Sequence, residues 1–379
     1  LPDAPVGWFI EELEIPIGRF KIPPREIEEA LPQQMLMLQI AEYAIADADL
    51  SEVDRLRTGV FIGVELDLNT TNYHLRWAVR SRAADWAERL GRTSNGEAFD
   101  RWVDALCDSL TPALNANRTI GGLGSIVASR IAREFGLGGP SYVISSEETS
   151  GLSALHVASR ALQQGRIDCA IVGAVDLAGD VRSLISLESM DGLATPSDLS
   201  PFGGAPAEIV PSDGAVALVL KRPADAARDG DRVYAILRAI GTAGGDSSSP
   251  DFSSPPSGSP ASGSSYREAI RRSCEDADVA ARDIPYVETH GCGIPGRDRA
   301  EMAAISETFG PDTVLGCTKA HVGHAGAAAG LLSLLGATLS LYRQVLPPAP
   351  EHSGMGLTPL EDPTPWVRDR VDGPRRTGV

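Results

Sequence analysis

Apolar residues recur at helix and strand spacings along most of the chain. From Leu31 to Ala48, the positions Leu31, Met35, Leu38, Ala41, Ala44, Ile45 and Ala48 keep the three-and-four spacing of a helix with one buried face. Gly59–Val64 is a short apolar run, as expected of a strand at the centre of a sheet. Ser125–Phe135 reads as a helix that stops at Gly136 and turns through Gly138-Gly139-Pro140. Strand, helix and strand follow with short turns. These are Tyr142–Ser146, then Thr149–Gln164 with Leu152, Leu155, Ala158 and Leu162 on one face, then Asp168–Gly173. That succession predicts a parallel βαβ unit. Ala215–Leu220 predicts a strand closing this half, and Val233–Ile240 one that opens the next.

Residues 241–265 break the pattern with a run of Gly, Ser and Pro that cannot bury much apolar surface, and they read as a mobile loop. Beyond them the alternation resumes. A helix is expected around Ser265–Asp276, a strand at Tyr286–His290, a helix at Asp298–Phe309, a strand at Thr313–Cys317, and a long small-residue helix from Gly323. The chain therefore divides into two α/β halves, residues 1–232 and 233–379, without a literal repeat.

Composition narrows the function classes. The 379 residues carry 34 Lys+Arg against 51 Asp+Glu, a formal charge of −17, which disfavours non-specific binding to nucleic acid or anionic membrane. Cys107, Cys169, Cys274, Cys292 and Cys317 are scattered and form no CxxC pair, which argues against a disulfide scaffold or a zinc site and fits a reducing cytoplasm. The stretch Ala325–Tyr342 is broken by Gly326, Gly330 and Gly336 and reads as a helix packed within protein rather than a membrane span. The chain opens on Leu1, with no signal peptide in view, and is expected to be a fragment of something longer.

Three polar constellations fall at strand ends, where open α/β sheets place their sites. They are Ser145-Ser146-Glu147-Glu148-Thr149-Ser150-Gly151, then Glu288-Thr289-His290-Gly291-Cys292-Gly293 with Asp298 and Glu301, then Lys319-Ala320-His321-Val322-Gly323-His324. Singly, each has a plain structural reading as a cap or a loop. His156 reads as a packed helix residue, His74 and His352 as surface residues, and Cys169 as core.

Together the three resemble the β-ketoacyl synthase family. Val287–Gly293 with Asp298 and Glu301 is similar to the family's VEAHGTGT…GD..E element. Lys319–Gly330 is similar to KSNIGH…AAG, and residues 139–156 resemble the nucleophile segment GPS…DTACSSSL. Phe20-Lys21-Ile22-Pro23-Pro24, Leu31-Pro32-Gln33-Gln34 and the run Glu65–His74 look most like synthases of polyunsaturated fatty acids and iterative polyketides. The resemblance implies a thiolase fold, with duplicated α/β halves forming a five-layered α-β-α-β-α core. It also implies a homodimer, or a heterodimer with a ketosynthase-type domain. The family's first strand and its last Gly-rich strand are absent from this sequence.

The resemblance assigns roles residue by residue. His290 and His324 match the histidines that polarise a malonyl thioester and stabilise its enolate, and Lys319 matches the lysine that orients them, often through the glutamate at Glu301. Phe202 matches the gate of the acyl pocket. No metal or resident cofactor is implied; the phosphopantetheine arm of an acyl carrier protein would bring the substrate. Glu148 stands where the family has its cysteine nucleophile, and a glutamate cannot hold an acyl chain productively. Cys292 and Ile294 replace the two threonines that hold the pantetheine arm, and His321 replaces the asparagine of NIGH.

Two functions follow from this pattern. One is a ketosynthase-like domain that has lost condensation and serves as a partner or chain-length-factor-like subunit. The other is a malonyl-carrier-protein decarboxylase, or another acyl-thioester enzyme, using His290, His324 and Lys319. Charge separates them. An ionised Glu148 is favoured by the helix N-terminus and repels a malonate carboxylate, whereas a protonated Glu148 would imitate the glutamine of known decarboxylases. An acidic carrier docking here would need a local basic patch such as Arg271-Arg272 or the 370–376 region.

Overall fold

The computed structural model describes residues 6–50, 52–65, 72–190, 192–193, 209–244, 264–310, 312–349, 360, 362–369, 371 and 373–379. Phe202, His352, Arg370 and most of the 241–265 loop lie outside them.

Four strands form the first sheet: β1 (Thr58–Val64), β2 (Ser141–Ile144), β3 (Cys169–Asp176) and β4 (Gly214–Lys221). Their order is β2-β1-β3-β4, with β1 parallel to both neighbours and β4 antiparallel to β3. The two strands of the expected βαβ unit are thus parallel but not adjacent, because β1 lies between them. Both faces of this sheet are buried, as its near-continuous apolar strands require. On one face Val60, Ile62, Cys169, Ile171 and Val175 meet Met37, Leu38, Ala41 and Ile45 of helix α1 (Pro32–Ala48) and Val127 and Ile131 of α2 (Ile126–Phe135). On the other face Phe61, Ala170, Val172 and Ala174 meet Ala154, Leu155 and Ala158 of α3 (Ser150–Gln163), together with Ala325, Ala328 and Leu331.

A second sheet, β6-β5-β7, joins β5 (Tyr286–Glu288), β6 (Val314–Gly316) and β7 (Thr377–Gly378) in parallel. Val287 and Leu315 pack on Ile270 of α4 (Ser264–Ala277) and on Met302 and Ile305 of α5 (Pro295–Thr308). Tyr286 points the other way, onto Ala337 of α6 (Ala329–Arg343). The order of layers is helices α1/α2, first sheet, helices α3/α6, second sheet, helices α4/α5. This five-layered arrangement buries α3 and α6 between the two sheets, and it explains why α6 is built of Ala, Gly, Ser and Leu.

Two expectations are corrected. Val233–Ile240 joins no ladder among the described residues, and Val233, Ile236 and Leu237 are exposed, because no described strand lies beside it. The long helix does not run from Gly323. A short turn of helix at Lys319–Val322 ends at Gly323, whose φ of 76° breaks it, and α6 begins only at Ala329. That break turns His324 inward. No described helix is long and apolar enough to cross a membrane.

Candidate functional site

The site is built at the ends of β2, β5 and β6, where the three polar constellations converge. Glu148 precedes α3 in a tight turn. Ser150 Oγ donates to the Glu147 carbonyl at 2.6 Å and accepts from Ser146 N–H at 2.8 Å, and Thr149 Oγ1 donates to the Ser146 carbonyl at 2.7 Å. Glu147 takes a left-handed φ of 50°, unfavourable for a non-glycine residue, and this conformation presents Glu148 to the site.

The loop after β5 is fixed by carboxylates. Glu301 Oε1 accepts from His290 N–H at 2.6 Å and Oε2 from Gly291 N–H at 3.0 Å, while Asp298 Oδ1 accepts from Cys292 N–H at 3.0 Å. Burial raises the Glu301 carboxyl to about 7, against the pull of those backbone N–H groups. Glu288 ties the two strand ends together, accepting from the Tyr286 hydroxyl at 2.6 Å and from Thr318 N–H. The His324 loop is held by His324 N–H on the Val210 carbonyl at 2.7 Å and by Ala327 N–H on Asp176 Oδ2 at 2.9 Å.

These supports bring Glu148, His290 and His324 to one point. Glu148 Oε2 lies 3.3 Å from His290 Nε2 and 3.6 Å from His324 Nε2, with the two rings edge to face at 88° and 5.7 Å between centroids. Lys319, buried, donates to the His290 carbonyl at 2.8 Å and meets Nδ1 of the same ring at 2.9 Å. It therefore acts on His290 directly, not by a hydrogen bond through Glu301.

Tautomers follow from these neighbours. An ammonium has only donors, so His290 Nδ1 accepts, and Gly326 N–H donates to His324 Nδ1 at 3.2 Å. With Nδ1 accepting, each ring carries a hydrogen on Nε2, the nitrogen nearer Glu148. The three side chains offer atoms within 4.8 Å of one another, a spacing compatible with a metal ion. A ligating imidazole, however, presents the Nε2 lone pair and donates from Nδ1, the reverse of what is found here. His290 Nε2 faces the Glu148 carboxylate at 3.3 Å, while His324 Nε2, buried 3.6 Å from the same oxygen, finds no hydrogen-bond partner among the described residues.

The electrostatics agree. Burial opposes ionisation of Glu148, but the His290 and His324 imidazoles beside it hold its carboxyl well below the usual carboxylate range. Burial and the Lys319 charge push the His290 imidazole down to about 4, against the opposing pull of Glu148. At neutral pH the site is a carboxylate facing a neutral His290 ring, with the His324 ring beside them.

Two residues not singled out from the sequence join the site. Arg297 Nη1 lies 3.5 Å from Glu148 Oε1, inside ion-pair range though long for a hydrogen bond. The Tyr266 phenol is pushed up by burial first, then by the charges of Glu301, Cys292 and Glu148 nearby. Neither carried a signal in the sequence beyond that of an ordinary helix residue.

Other expected residues fall elsewhere. Cys292 is buried, and its thiol is pushed well up by burial and Asp298. Ile294 caps the start of α5 and His321 is exposed with Nε2 at 2.9 Å from the Pro348 carbonyl. The anticipated Arg271-Arg272 patch is neutralised, since Arg271 pairs with Glu268 and Glu275, and Arg272 with Glu268. Cys169 is buried core and His74 is exposed.

Known families match nearly the whole chain. Beta-ketoacyl synthase, N-terminal domain, matches residues 4–226, and Beta-ketoacyl synthase, C-terminal domain, matches residues 234–352. The chain belongs to the β-ketoacyl synthase family. It is 31% identical over 377 residues to 5-methyl-1-naphthoate synthase of Streptomyces sahachiroi, covering 96% of this chain and 19% of that one. It is 32% identical over 356 residues to erythronolide synthase EryA3 of Saccharopolyspora erythraea, covering 91% and 10%. This ketosynthase-family chain thus spans a fifth or less of the length of these curated relatives. Among solved structures, the ketosynthase from module 6 of the bacillaene synthase from Bacillus subtilis 168 superposes with a TM-score of 0.69 at 27% identity, over 94% of this chain and 58% of that one. The PfaC keto synthase–chain length factor superposes at 0.75 and 24% identity, over 90% and 34%, and shares the fold. The five layers are those of the thiolase fold.

Proposed function

We propose that this chain is a non-elongating ketosynthase-family domain of a polyketide or fatty-acid synthase, acting as the partner of a condensing domain much as a chain-length factor does. The observation behind this reading is the Glu148 carboxylate lying against the His290 and His324 imidazoles, 3.3 and 3.6 Å from their Nε2 atoms. Condensation requires a nucleophile that takes and releases an acyl group, and donors free to receive the thioester oxygen. Here the residue matching the family's cysteine is an ionised carboxylate, and its oxygen lies against the imidazoles that would receive that oxygen. Cys292 and Ile294 offer no alcohol hydroxyl to a pantetheine arm. The pairing of Arg271 and Arg272 with glutamates removes an expected docking patch for an acidic carrier protein.

The retained His290, His324 and Lys319 favour a second reading, decarboxylation of a malonyl thioester, since that reaction needs the donors more than the nucleophile. The ionised Glu148 opposes it by repelling the malonate carboxylate. The two readings are separated by offering malonyl carrier protein and measuring CO2 release. The non-elongating reading expects none from the parent chain; release that His324→Ala abolishes would overturn it in favour of a decarboxylase.

A further inference from the structure

We propose that Arg297 is the positioning residue that keeps the Glu148 carboxylate seated between the two imidazoles, a role that rests on the reading of Glu148 as the site's resident anion. Oε2 of Glu148 lies 3.3 Å from His290 Nε2 and 3.6 Å from His324 Nε2, and Arg297 Nη1 stands 3.5 Å from Oε1. A carboxylate held from both oxygens is fixed in rotation as well as position. Arg297 lies in the first turn of α5, the same turn that places Asp298 and leads to Glu301. One turn of helix therefore fixes the His290 loop and delivers the counter-charge to Glu148.

The charges around the site require such a group. Asp298 and Glu301 approach on α5, and the Tyr266 phenol on α4 is neutral. Lys319 is committed to the far side of the His290 ring, at Nδ1 and the carbonyl. Of the charged residues described at this site, Arg297 is the cation that reaches Glu148. Position 297 is also where the family pattern GD..E has its glycine, which could supply no charge. Glutamate at 148 and arginine at 297 are thus two departures from one pattern that meet in space.

The test places a thiol at position 148 and reads the field of Arg297 on it. Alkylation by iodoacetamide is followed against pH in Glu148→Cys, Glu148→Cys/Arg297→Gly and Glu148→Cys/Arg297→Lys. A fixed cation near the shorter thiol side chain still favours the thiolate, so the midpoint is expected to be higher in the glycine variant and largely restored by lysine. In the parent chain, the downfield proton signal of the His290 Nε2–H group is expected to be lost in Arg297→Gly and kept in Arg297→Lys. An unmoved midpoint, or that signal retained in Arg297→Gly, overturns the inference. An acyl adduct on the parent chain would instead overturn the non-elongating reading while leaving the Arg297 result standing.

Discussion

Lys319 meets His290 twice, with Nζ at 2.8 Å from the carbonyl oxygen and 2.9 Å from Nδ1 of the ring. The lysine thereby sets both the loop's path and the ring's tautomer. It follows that Lys319→Met should raise the His290 imidazole from about 4 toward its ordinary value, leaving burial to hold it down, and free Nδ1. Nitrogen-15 NMR of the imidazoles reads both. An unchanged titration would mean that burial alone depresses the ring.

Stability should depend on pH through the same ring. Between an unfolded value of about 6.5 and the folded value of about 4, the unfolded chain binds a proton that the folded chain refuses. The folded state therefore loses stability as pH falls through that interval. Glu301 acts the other way. Its folded carboxyl, raised to about 7, keeps a proton that the unfolded chain has released, so its contribution is lost as pH rises from the ordinary carboxylate range. Melting curves of His290→Gln beside the parent isolate the first effect. The variant should gain relative stability as pH is lowered from about 6.5 to about 4, and parallel curves would contradict this.

The first sheet touches the Glu148 turn at Gly63. A Cβ there would meet Gly151 N and Ser150 C at 2.5 Å, closer than atoms can approach. Gly63→Ala should push back the start of α3, cost about 1–3 kcal/mol in urea unfolding, and weaken the His290 Nε2–H signal at Glu148. A neutral substitution would show that β1 and α3 have room to separate.

Leu331 is fully buried in the layer between the sheets. Leu331→Ala should cost about 2–5 kcal/mol, measured the same way. A cost below about 1 kcal/mol would place that side chain outside a close-packed layer.

Much of this architecture was legible in the sequence because the signals are local. The spacing in α1, the stop at Gly136 and the runs of β1, β3 and β4 each appear within a residue or three of their observed places. What escaped depends on distant partners. The insertion of β1 between β2 and β3 is a matter of which apolar strand finds which edge, and Val233–Ile240 reads as a strand whether or not a neighbour exists. Glu148, His290, His324 and Lys319 stood out through their place in a known pattern. Arg297 did not, since an arginine beside an aspartate at a helix start is an ordinary surface motif until Glu148 is found 3.5 Å away.

The account turns on whether position 148 can carry an acyl group. The most direct measurement is the intact mass of the parent chain and of Glu148→Cys after incubation with an acyl-pantetheine thioester. The account predicts no covalent adduct on the parent chain and a single hydroxylamine-labile acyl adduct on the cysteine variant. A hydroxylamine-labile acyl adduct on the parent chain would contradict it.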